Sequence, residues 1–511
     1  MYFLGLDLST QRLKATIINE NGEIINEENI HFDQDLPHYK TKDGVHVKGP
    51  QVTSPVLMWC QALELLFDKI DKNLLSSLKG ISGSGQQHAS VYWKRFPTSL
   101  DPKVSLTKQL EDQNVFSILD SPIWMDMSTG EYCEKLEYSA GSPQKLADLT
   151  GSSAYERFTG NQIAKIATLY PDDYANTEKI SLASSFIPSL LLGHYTAIDP
   201  SDGSGMNLLN IKTKEWDPLL ASCCGGDSLI DKLGKVGSEN NEVLGTISSY
   251  FQNRYNIPND CIISTFSGDN PCTLASIPTA VGDLIISLGT SDTCMFVDEN
   301  PTPVAGVGHV FCSPTLPNAF MAMICFRNGS LAREKIRNTY SQNSWEKFNQ
   351  QIQESSIDDT LGFYFPDSEI IPPMVGTFFF KNGQKVDSIA DSLHARAIIQ
   401  SQTLMKKFYC EKLGLNPKRI IVVGGGSKNG EIVKIIANAF GLDTFELAQG
   451  NNSASLGACY RALYAFQRDQ DQSYENFLLK IHPGLVKIAK PDMDQHRRYN
   501  ELNFKDIMKS L

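Results

Sequence analysis

Two stretches of the chain, one at its start and one just past its middle, follow the same plan. Residues 2–8 predict a mostly buried strand that ends at a polar corner, residues 9–11 (Ser-Thr-Gln), before a second apolar run. Residues 283–288 predict a strand that ends at residues 289–291 (Gly-Thr-Ser), again before another strand. One core cannot serve 511 residues, because cores stop growing at roughly 250–300 residues. The repeated plan suggests two related domains that face each other, each with a hydroxyl-rich hairpin.

The first of these stretches carries a strong turn signal. Asn21-Gly22 separates the apolar residues 13–18 from residues 23–29, a pattern typical of a β-hairpin. The chain is therefore expected to begin with three antiparallel strands.

A helix is predicted after this hairpin. Ser54 suits an N-cap and Pro55 the first helical position. Leu63, Leu66, Phe67 and Ile70 then keep the spacing of a buried stripe. Further on, residues 94–122 are polar and irregular, and we interpret them as a long surface insertion.

Charge and cysteine usage exclude several classes of protein. The chain has 46 basic and 58 acidic residues, whereas a nucleic-acid binder normally shows a basic excess, so no nucleic-acid partner is expected. Its eleven cysteines form no C-x-x-C pair, which argues against zinc and for a reducing compartment. The start does not resemble a secretory signal, and no apolar run approaches the ~18 residues of a membrane span. A soluble, cytoplasmic protein without membrane contact is expected.

The first corner carries a carboxylate in the pattern Gly5-x-Asp7-x-Ser9-Thr10. An aspartate at a strand end before a hydroxyl-bearing turn can hold Mg²⁺ through water and offer amides to a phosphate. The alternative is an aspartate that only caps a turn. The corner at residues 289–291 strengthens the first interpretation, since a triphosphate needs donors from both sides of a cleft.

A glycine corner, residues 424–426, joins a predicted strand at residues 419–423 to a predicted helix at residues 431–440. Such glycines let the backbone approach a flat ligand or a phosphate, but they also serve tight β–α packing. The pattern is neither a dinucleotide fingerprint nor a P-loop.

Ser267-Gly268-Asp269-Asn270 follows an apolar run that predicts another strand. An aspartate at a strand end in a cleft can act as a general base on a substrate hydroxyl. The alternative is an aspartate that forms an Asx-turn.

Taken in order, these four motifs resemble those of the FGGY carbohydrate kinases, members of the actin-like ATPase superfamily. The resemblance runs from about residue 2 to about residue 465. It implies an α/β fold with two actin-like (ribonuclease-H-like) domains and an active-site cleft between them that closes on sugar binding. The expected domains are residues 1–260, with the sugar site and first phosphate loop, and residues 261–511, which bind the nucleotide.

The resemblance also implies ATP as phosphoryl donor, Mg²⁺ as cofactor and a small-molecule sugar as acceptor. Asp7 is the implied metal anchor and Asp269 the implied catalytic base. The implied nucleotide contacts are Ser9, Thr10, Gly289, Thr290, Trp345, Gly425, Gly426 and Asn429. Trp345 follows Ser344 at a predicted helix start, where its indole could meet adenine or could be an ordinary half-buried tryptophan.

Within the family, the chain most resembles the eukaryotic xylulokinases. Four segments carry this likeness: residues 85–88 (Gly-Gln-Gln-His), 155–162 (Tyr-Glu-Arg-Phe-Thr-Gly-Asn-Gln), 268–271 (Gly-Asp-Asn-Pro) and 328–331 (Asn-Gly-Ser-Leu). The likeness implies phosphorylation of D-xylulose to D-xylulose 5-phosphate with release of ADP. The implied sugar contacts are His88, Arg157, Asp269 and Asn270, whose donors and acceptors suit a polyol.

The sequence departs from the broader family pattern at three positions. Leu8 replaces a glycine, Gln87 a methionine, and Ser128 a basic residue after Asp126. Two other functions stay open: a kinase for another polyol, such as ribulose, glycerol or gluconate, and a non-catalytic actin-like ATPase switch. The sequence carries no signal for an oligomeric state.

Overall fold

The computed structural model of the protein describes residues 1–238, 242–357, 360–448, 452–468, 472–482 and 484–511. These residues divide into two compact units. Unit 1 comprises the described residues within Met1–Thr279, Val310–Phe320 and Asn452–His482, and unit 2 those within Ala280–His309, Met321–Asn451 and Pro483–Leu511.

The described strands, in chain order, are β1 (Tyr2–Leu8), β2 (Arg12–Asn19), β3 (Ile24–His31), β4 (His46–Lys48), β5 (Gln51–Pro55), β6 (Leu78–Gly85), β7 (Ser90–Trp93), β8 (Phe116–Ile118), β9 (Asp120–Pro122), β10 (Lys179–Leu182), β11 (Leu209–Asn210), β12 (Glu215–Trp216), β13 (Val243–Thr246), β14 (Ile262–Ser264), β15 (Ser267–Gly268), β16 (Asp283–Leu288), β17 (Asp292–Asp298), β18 (His309–Cys312), β19 (Phe320–Phe326), β20 (Leu361–Phe365), β21 (Gly376–Lys381), β22 (Gln384–Val386), β23 (Arg419–Val423), β24 (Thr444–Leu447) and β25 (Leu485–Ala489).

The described α-helices are α1 (Phe32–Asp35), α2 (Val56–Lys69), α3 (Lys72–Leu75), α4 (Leu106–Asp112), α5 (Gly130–Ala140), α6 (Pro143–Thr150), α7 (Thr159–Leu169), α8 (Pro171–Ala175), α9 (Ala183–Leu192), α10 (Pro200–Gly203), α11 (Pro218–Gly225), α12 (Leu229–Leu233), α13 (Ser249–Tyr255), α14 (Asp269–Ala275), α15 (Ser330–Tyr340), α16 (Trp345–Glu354), α17 (His394–Lys412), α18 (Gly430–Phe440), α19 (Ala454–Gln467), α20 (Tyr474–Ile481), α21 (Met493–Glu501) and α22 (Phe504–Ser510). Short 3₁₀ turns lie at Pro37–Tyr39, Ser204–Met206, Asp391–Leu393 and Gly425–Lys428.

Unit 1 is built on a sheet with the strand order β13-β14-β6-β1-β2-β3, and β15 also pairs with β6. β1, β2 and β3 are antiparallel neighbours, so the predicted three-stranded start is confirmed. β6 runs parallel to β1, β14 and β15, and its register sets Gly85 beside both Leu8 and Gly268. The carboxyl ends of β1, β6 and β15 therefore meet at one edge of this sheet, the usual place for a ligand site.

The first break between the units falls at residues 279/280, whereas the sequence places the domain boundary between residues 260 and 261. The difference has a simple cause, because β14 and β15 pair with β6 of the first sheet. Unit 1 also includes α19, which packs against β1. A Cβ on Gly5 would lie 1.9 Å from the Ser455 carbonyl oxygen, so β1 needs a glycine at this contact.

Helix α2 confirms the predicted stripe but corrects its predicted start. Leu63, Leu66 and Phe67 are buried. Ser54 is not the N-cap, because Ser54 and Pro55 end strand β5 and the Ser54 hydroxyl donates to the Gly44 carbonyl at 2.9 Å.

Residues 94–122 are not an irregular surface insertion; that prediction is wrong. They contain α4, β8 and β9, and Leu106, Leu110 and Val115 are fully buried. The Glu64 carboxylate accepts the Leu106 backbone N–H at 2.6 Å, which ties the start of α4 to α2. Leu106 and Leu110 keep the i, i+4 spacing of a helix, but the polar residues around them mask it in the sequence.

Unit 2 has its own sheet, in which β19, β17, β16, β23, β24 and β25 are successive neighbours. β16 is antiparallel to β17 and parallel to β23, so the predicted strands at residues 283–288 and 419–423 are confirmed as adjacent strands. α18 ends at Phe440 and is followed by Gly441, whose φ of 72° is usual for the glycine that terminates a helix. Among the described residues, no helix is both long enough and apolar enough to span a membrane.

Candidate active site

His88 lies just beyond β6 at the carboxyl edge of the unit 1 sheet. Its ring nitrogen Nδ1 is 2.8 Å from the Gly205 carbonyl oxygen, and its ring stacks on Phe158 with centroids 4.4 Å apart. Burial, reinforced by the charge of Arg157, lowers the pKa of His88 to about 3. The imidazole is therefore neutral. Because a carbonyl can only accept, Nδ1 carries the hydrogen and Nε2 presents a lone pair.

Arg157 lies in the same group of side chains. Its guanidinium carbon is 4.8 Å from the centre of the Tyr155 ring and 5.6 Å from the centre of the Phe158 ring. Stacking on aromatic faces fixes the plane of a guanidinium and leaves its N–H groups at the rim. The structure thus brings His88 and Arg157, two of the predicted sugar contacts, against one phenylalanine.

Asp269 and Asn270 begin α14, directly after β15. The Asn270 amide nitrogen Nδ2 donates to Gln87 Oε1 at 3.0 Å and to Asp269 Oδ1 at 3.1 Å. Burial, with the negative charge of Asp7 as the next cause, raises the pKa of Asp269 to about 7. A carboxyl with this pKa can take up a proton near neutral pH, which suits a general base.

Asp7 is the last residue but one of β1 and is partly buried. Its two carboxylate oxygens accept from the hydroxyls of Ser9 and Ser84, each at 2.8 Å, while burial raises its pKa. The neighbouring Thr10 hydroxyl accepts a 2.8 Å hydrogen bond from the indole nitrogen of Trp124, a side chain that is 45% exposed. The sequence did not single out Trp124 for this contact, and no local pattern indicates it.

Asp126 is fully buried and engaged within unit 1. It lies 3.1 Å from Lys165 Nζ and accepts from the Gln162 amide at 2.9 Å and the Val52 backbone N–H at 3.0 Å. Its carboxylate therefore already has partners inside the protein. Ser128 donates to the same carboxylate from its hydroxyl at 2.6 Å, and Lys165 supplies the positive charge that a serine at position 128 does not carry.

Two further aspartates are buried near Asp269, and neither was identified from the sequence. Asp199 accepts from the Ser267 hydroxyl, and Asp202 accepts from the Ser184 hydroxyl at 2.5 Å. Burial raises the pKa of Asp202 to about 8; Ser184 opposes this rise, while the charges of Asp199 and Asp269 add to it. Buried acids of this kind have no sequence signature, because their partners are distant along the chain.

The predicted nucleotide contacts of unit 2 line one cavity of about 640 Å³. They are Gly289, Thr290, Trp345, Gly425, Gly426 and Asn429. The cavity is large enough for a nucleotide, since ligand sites usually have about 300–1,000 Å³.

The glycine corner of this cavity has two distinct parts. A Cβ on Gly426 would lie 2.8 Å from Leu288 Cβ, so packing within the protein requires that glycine. A Cβ on Gly425 would meet no heavy atom within 4 Å, so packing does not explain that one. The open space before Gly425 fits close approach of a ligand. Asn429 caps α18, accepting from the Glu431 N–H at 3.1 Å, and its amide donates to Asn349 at 2.8 Å.

Trp345 is the first residue of α16, with Ser344 as the N-cap, so the predicted helix start is confirmed. The indole is 37% exposed, and the Arg337 guanidinium lies 4.8 Å from the ring centre. A cation over the ring restrains the indole while leaving part of it accessible.

Solved structures of sugar kinases share this fold. A xylulose kinase from Rhodospirillum rubrum has a TM-score of 0.80 at 14% sequence identity, with 100% of this chain and 98% of that chain covered. The glycerol kinase of Plasmodium falciparum, solved with ADP, has a TM-score of 0.78 at 14% identity, with 100% and 98% covered. At these identities the likeness establishes the fold of the carbohydrate kinases and nothing narrower.

Sequence comparison defines the family. Residues 2–275 match the N-terminal domain of the FGGY family of carbohydrate kinases and residues 284–466 its C-terminal domain, so the chain belongs to that family. The xylulose kinase of Mus musculus is 44% identical over 507 residues, covering 96% of this chain and 91% of that protein. Xylulose kinase 2 of Arabidopsis thaliana is 41% identical, with 92% and 88% covered.

Proposed function

We propose that this protein transfers the γ-phosphoryl group of ATP to the 5-hydroxyl of D-xylulose, giving D-xylulose 5-phosphate and ADP. One observation carries the proposal: curated proteins from a mammal, a plant and yeasts, at 36–44% identity over nearly the whole chain, are named for this one sugar. The hydrogen-bonding groups around His88 and Asp269 are compatible with a polyol substrate.

In the proposed sugar site, Asp269 is the general base and takes the proton from the attacking hydroxyl. Asn270 and His88 hold hydroxyls that do not react, with the neutral His88 Nε2 as an acceptor. The N–H groups at the edge of the Arg157 guanidinium donate to a further hydroxyl. A site with this many directed groups rejects analogues that lack a hydroxyl, because buried partners are then left unpaired.

In the proposed nucleotide site, Trp345 meets the adenine, Gly425 and Gly426 allow close approach of the nucleoside, and Asn429 contacts it. Gly289, Thr290, Ser9 and Thr10 serve the phosphates. Phosphoryl transfer asks the protein chiefly for positioning and charge stabilisation, which backbone amides and hydroxyls supply. By this assignment the sugar contacts lie in unit 1, and the nucleotide contacts other than Ser9 and Thr10 lie in unit 2.

The proposed cofactor is Mg²⁺, and the residues at Asp7 fit it. Asp7 and Asp269 are like charges close enough to raise the pKa of Asp269, so a cation at Asp7 would relieve their repulsion. Mg²⁺ is usually held by one or two carboxylates, water and substrate phosphates, and Asp7 with Ser9 and Ser84 can orient such a hydration shell. When bound, the ion would neutralise charge on the transferring phosphoryl group.

A cytoplasmic location is also proposed. All eleven cysteines are free thiols, the exposed Cys223 among them, which fits a reducing compartment.

The test is a sugar panel with purified protein, ATP and Mg²⁺ in an ADP-release assay. Under identical conditions kcat/KM is compared for D-xylulose, D-ribulose, L-xylulose, glycerol and gluconate. D-Xylulose should lead by more than about tenfold, or about 1.4 kcal/mol of transition-state binding. If kcat/KM is highest for glycerol or gluconate, the family assignment stands but the proposed substrate is wrong. Sugar-independent ATP turnover with every sugar inert would instead favour an ATPase switch.

A further inference from the structure

A buried cluster of charged side chains lies next to the corner that carries Gly289 and Thr290. Asp292, Arg333 and Lys406 have side chains that are 1–3% exposed. Arg333 donates to both oxygens of Asp292, from Nη1 at 2.7 Å and from Nη2 at 3.0 Å, and Lys406 Nζ lies 2.9 Å from Oδ2. Burial acts to raise the pKa of Asp292, but Lys406 and Arg333 together hold it below its ordinary value. The carboxyl is therefore ionised.

This cluster connects three elements of unit 2. Asp292 is the first residue of β17, Arg333 lies in the first turn of α15, and Lys406 lies in α17. Gln402, one turn before Lys406, accepts from Arg333 Nη1 at 2.8 Å and donates to the Asn328 carbonyl at 2.8 Å. The start of α15 is thus tied both to β17 and to α17.

Backbone hydrogen bonds in turn connect the start of α15 to the corner that carries Gly289 and Thr290. The Ser330 N–H donates to the Gly289 carbonyl at 2.8 Å, and the Gly329 N–H donates to the Thr290 carbonyl at 3.1 Å. A Cβ on Gly329 would lie 2.7 Å from both Asp292 Oδ1 and the Gly289 carbonyl oxygen, so the three segments are in close contact. With these carbonyls already paired, the corner keeps its N–H groups and the Thr290 hydroxyl to meet an anion.

Arg333 also lines the 640 Å³ cavity with Gly289 and Thr290. Its position connects the buried ion pair to the surface that a nucleotide would contact. We propose that Arg333 is a positioning residue for the phosphates of the nucleotide, acting through Asp292 and the Gly289–Thr290 corner. This inference rests on the proposed function. It gives a role to a residue that lies outside the motifs found in the sequence.

The first test is Arg333→Met, which leaves Asp292 paired with Lys406 as a neutral pair. We expect KM for ATP to rise and kcat to fall, each about tenfold, because a shift of about 1 Å in a positioning group costs up to about 10²-fold. KM for D-xylulose at saturating ATP should stay within about twofold, since the proposed sugar contacts lie in unit 1.

Two further variants separate positioning from general packing. Arg333→Lys keeps one charged contact to Asp292 and should recover about threefold of the lost kcat, though not all, because lysine cannot replace a bidentate guanidinium. Lys406→Met keeps the bidentate pair and should change KM for ATP by less than about threefold. The matched control is Lys335→Met, which removes an exposed cation from the same helix and should leave both KM values unchanged.

Titration calorimetry with ADP, without sugar, gives a second readout for each variant. The inference is overturned if Arg333→Met lowers only thermal stability while folded enzyme keeps its kinetic constants, or if both KM values rise together. If Arg333→Met does not fold, unaltered ADP affinity in Arg333→Lys overturns it. If the wild-type protein binds ADP but phosphorylates no sugar, the proposed function is wrong. Weakened ADP binding in the Arg333 variants would still support the positioning role in that case.

Discussion

Asn270 donates from its side-chain nitrogen to Gln87 Oε1 across 3.0 Å, although the two residues are 183 positions apart. The second hydrogen of the same amide is directed to Asp269 Oδ1 at 3.1 Å. Both donors of the amide are thereby used within unit 1. The Asn270 side-chain oxygen is the atom left to accept from a substrate hydroxyl, so Gln87 orients a proposed sugar contact.

Gln87→Leu should weaken sugar recognition. Loss of the acceptor frees the Asn270 amide to rotate, and we expect KM for D-xylulose to rise about five- to tenfold, the worth of one hydrogen bond of about 1 kcal/mol. KM for ATP should be unchanged. Gln86→Leu is the matched control, because Gln86 does not contact Asn270. An equal rise of the sugar KM in both variants would contradict the role given to Gln87.

Asp269→Asn should keep the fold and D-xylulose binding while lowering kcat by about 10²–10⁴, the usual contribution of a positioned general base. Asparagine has nearly the same shape and retains an oxygen for the Asn270 contacts, but it cannot accept the proton. Turnover and direct sugar binding by calorimetry are measured on the same preparation. Near-normal turnover would remove Asp269 from the mechanism.

The pH dependence of kcat/KM should also report Asp269. Burial and the neighbouring Asp7 raise its pKa to about 7, and a general base works only when ionised. Activity should therefore fall as the pH drops below about 7 and level off above it. A cation at Asp7 would replace the repulsion by attraction, so rising Mg²⁺ should move the break to lower pH. Profiles from pH 5.5 to 8.5 at two Mg²⁺ concentrations check this, and a break unmoved by Mg²⁺ would contradict the Asp7 assignment.

Asp7→Ala should raise the Mg²⁺ concentration needed for half-maximal activity and lower kcat more than it weakens D-xylulose binding. The reason is that Asp7 belongs to the proposed phosphate side of the reaction, with Ser9 and Ser84 as its hydrogen-bonding partners. Activity titrated with Mg²⁺ at fixed ATP gives the comparison. Ser84→Ala, which removes one of the two donors but keeps the carboxylate, should show a smaller shift in the same direction.

Much of the fold was predictable because it follows from local patterns. The strands at residues 2–8, 283–288 and 419–423 end where they were predicted to end, since apolar runs bounded by glycine and hydroxyl residues define strands well. Residues 94–122 were misinterpreted because Leu106 and Leu110 are separated by three polar residues and are buried only by tertiary packing.

The motifs of the candidate site could be located in the sequence, but the contacts between them could not. Each motif could be located because glycine, aspartate and hydroxyl residues cluster at strand ends. The contacts of Gln87 with Asn270 and of Arg333 with Asp292 join residues 183 and 41 positions apart. No periodicity relates such residues, so only the folded chain reveals the pairs. The same holds for the buried acids Asp199 and Asp202.

Asp202 gives the last prediction, because its burial couples protonation to folding. Burial raises its pKa to about 8; the Ser184 hydroxyl and the Gln87 amide oppose the rise, and the charges of Asp199 and Asp269 add to it. In the unfolded chain an aspartate has a pKa of about 3.9. The folded state therefore binds the proton more tightly, and the stability contributed by this group is full below about pH 4 and is lost progressively as the pH rises toward 8.

Asp202→Asn replaces this acid with a group of nearly the same shape that cannot ionise. Relative to wild type, the variant should therefore become more stable as the pH rises, whatever its stability at low pH. The measurement is Tm by scanning calorimetry at pH 5.0, 6.5 and 8.0, with the difference between variant and wild type as the readout. Ser201→Ala, a fully buried change on the same helix, is the control and should give a difference that does not vary with pH. A difference for Asp202→Asn that is constant, or that shrinks toward pH 8.0, would show that Asp202 is already ionised in the folded protein at neutral pH.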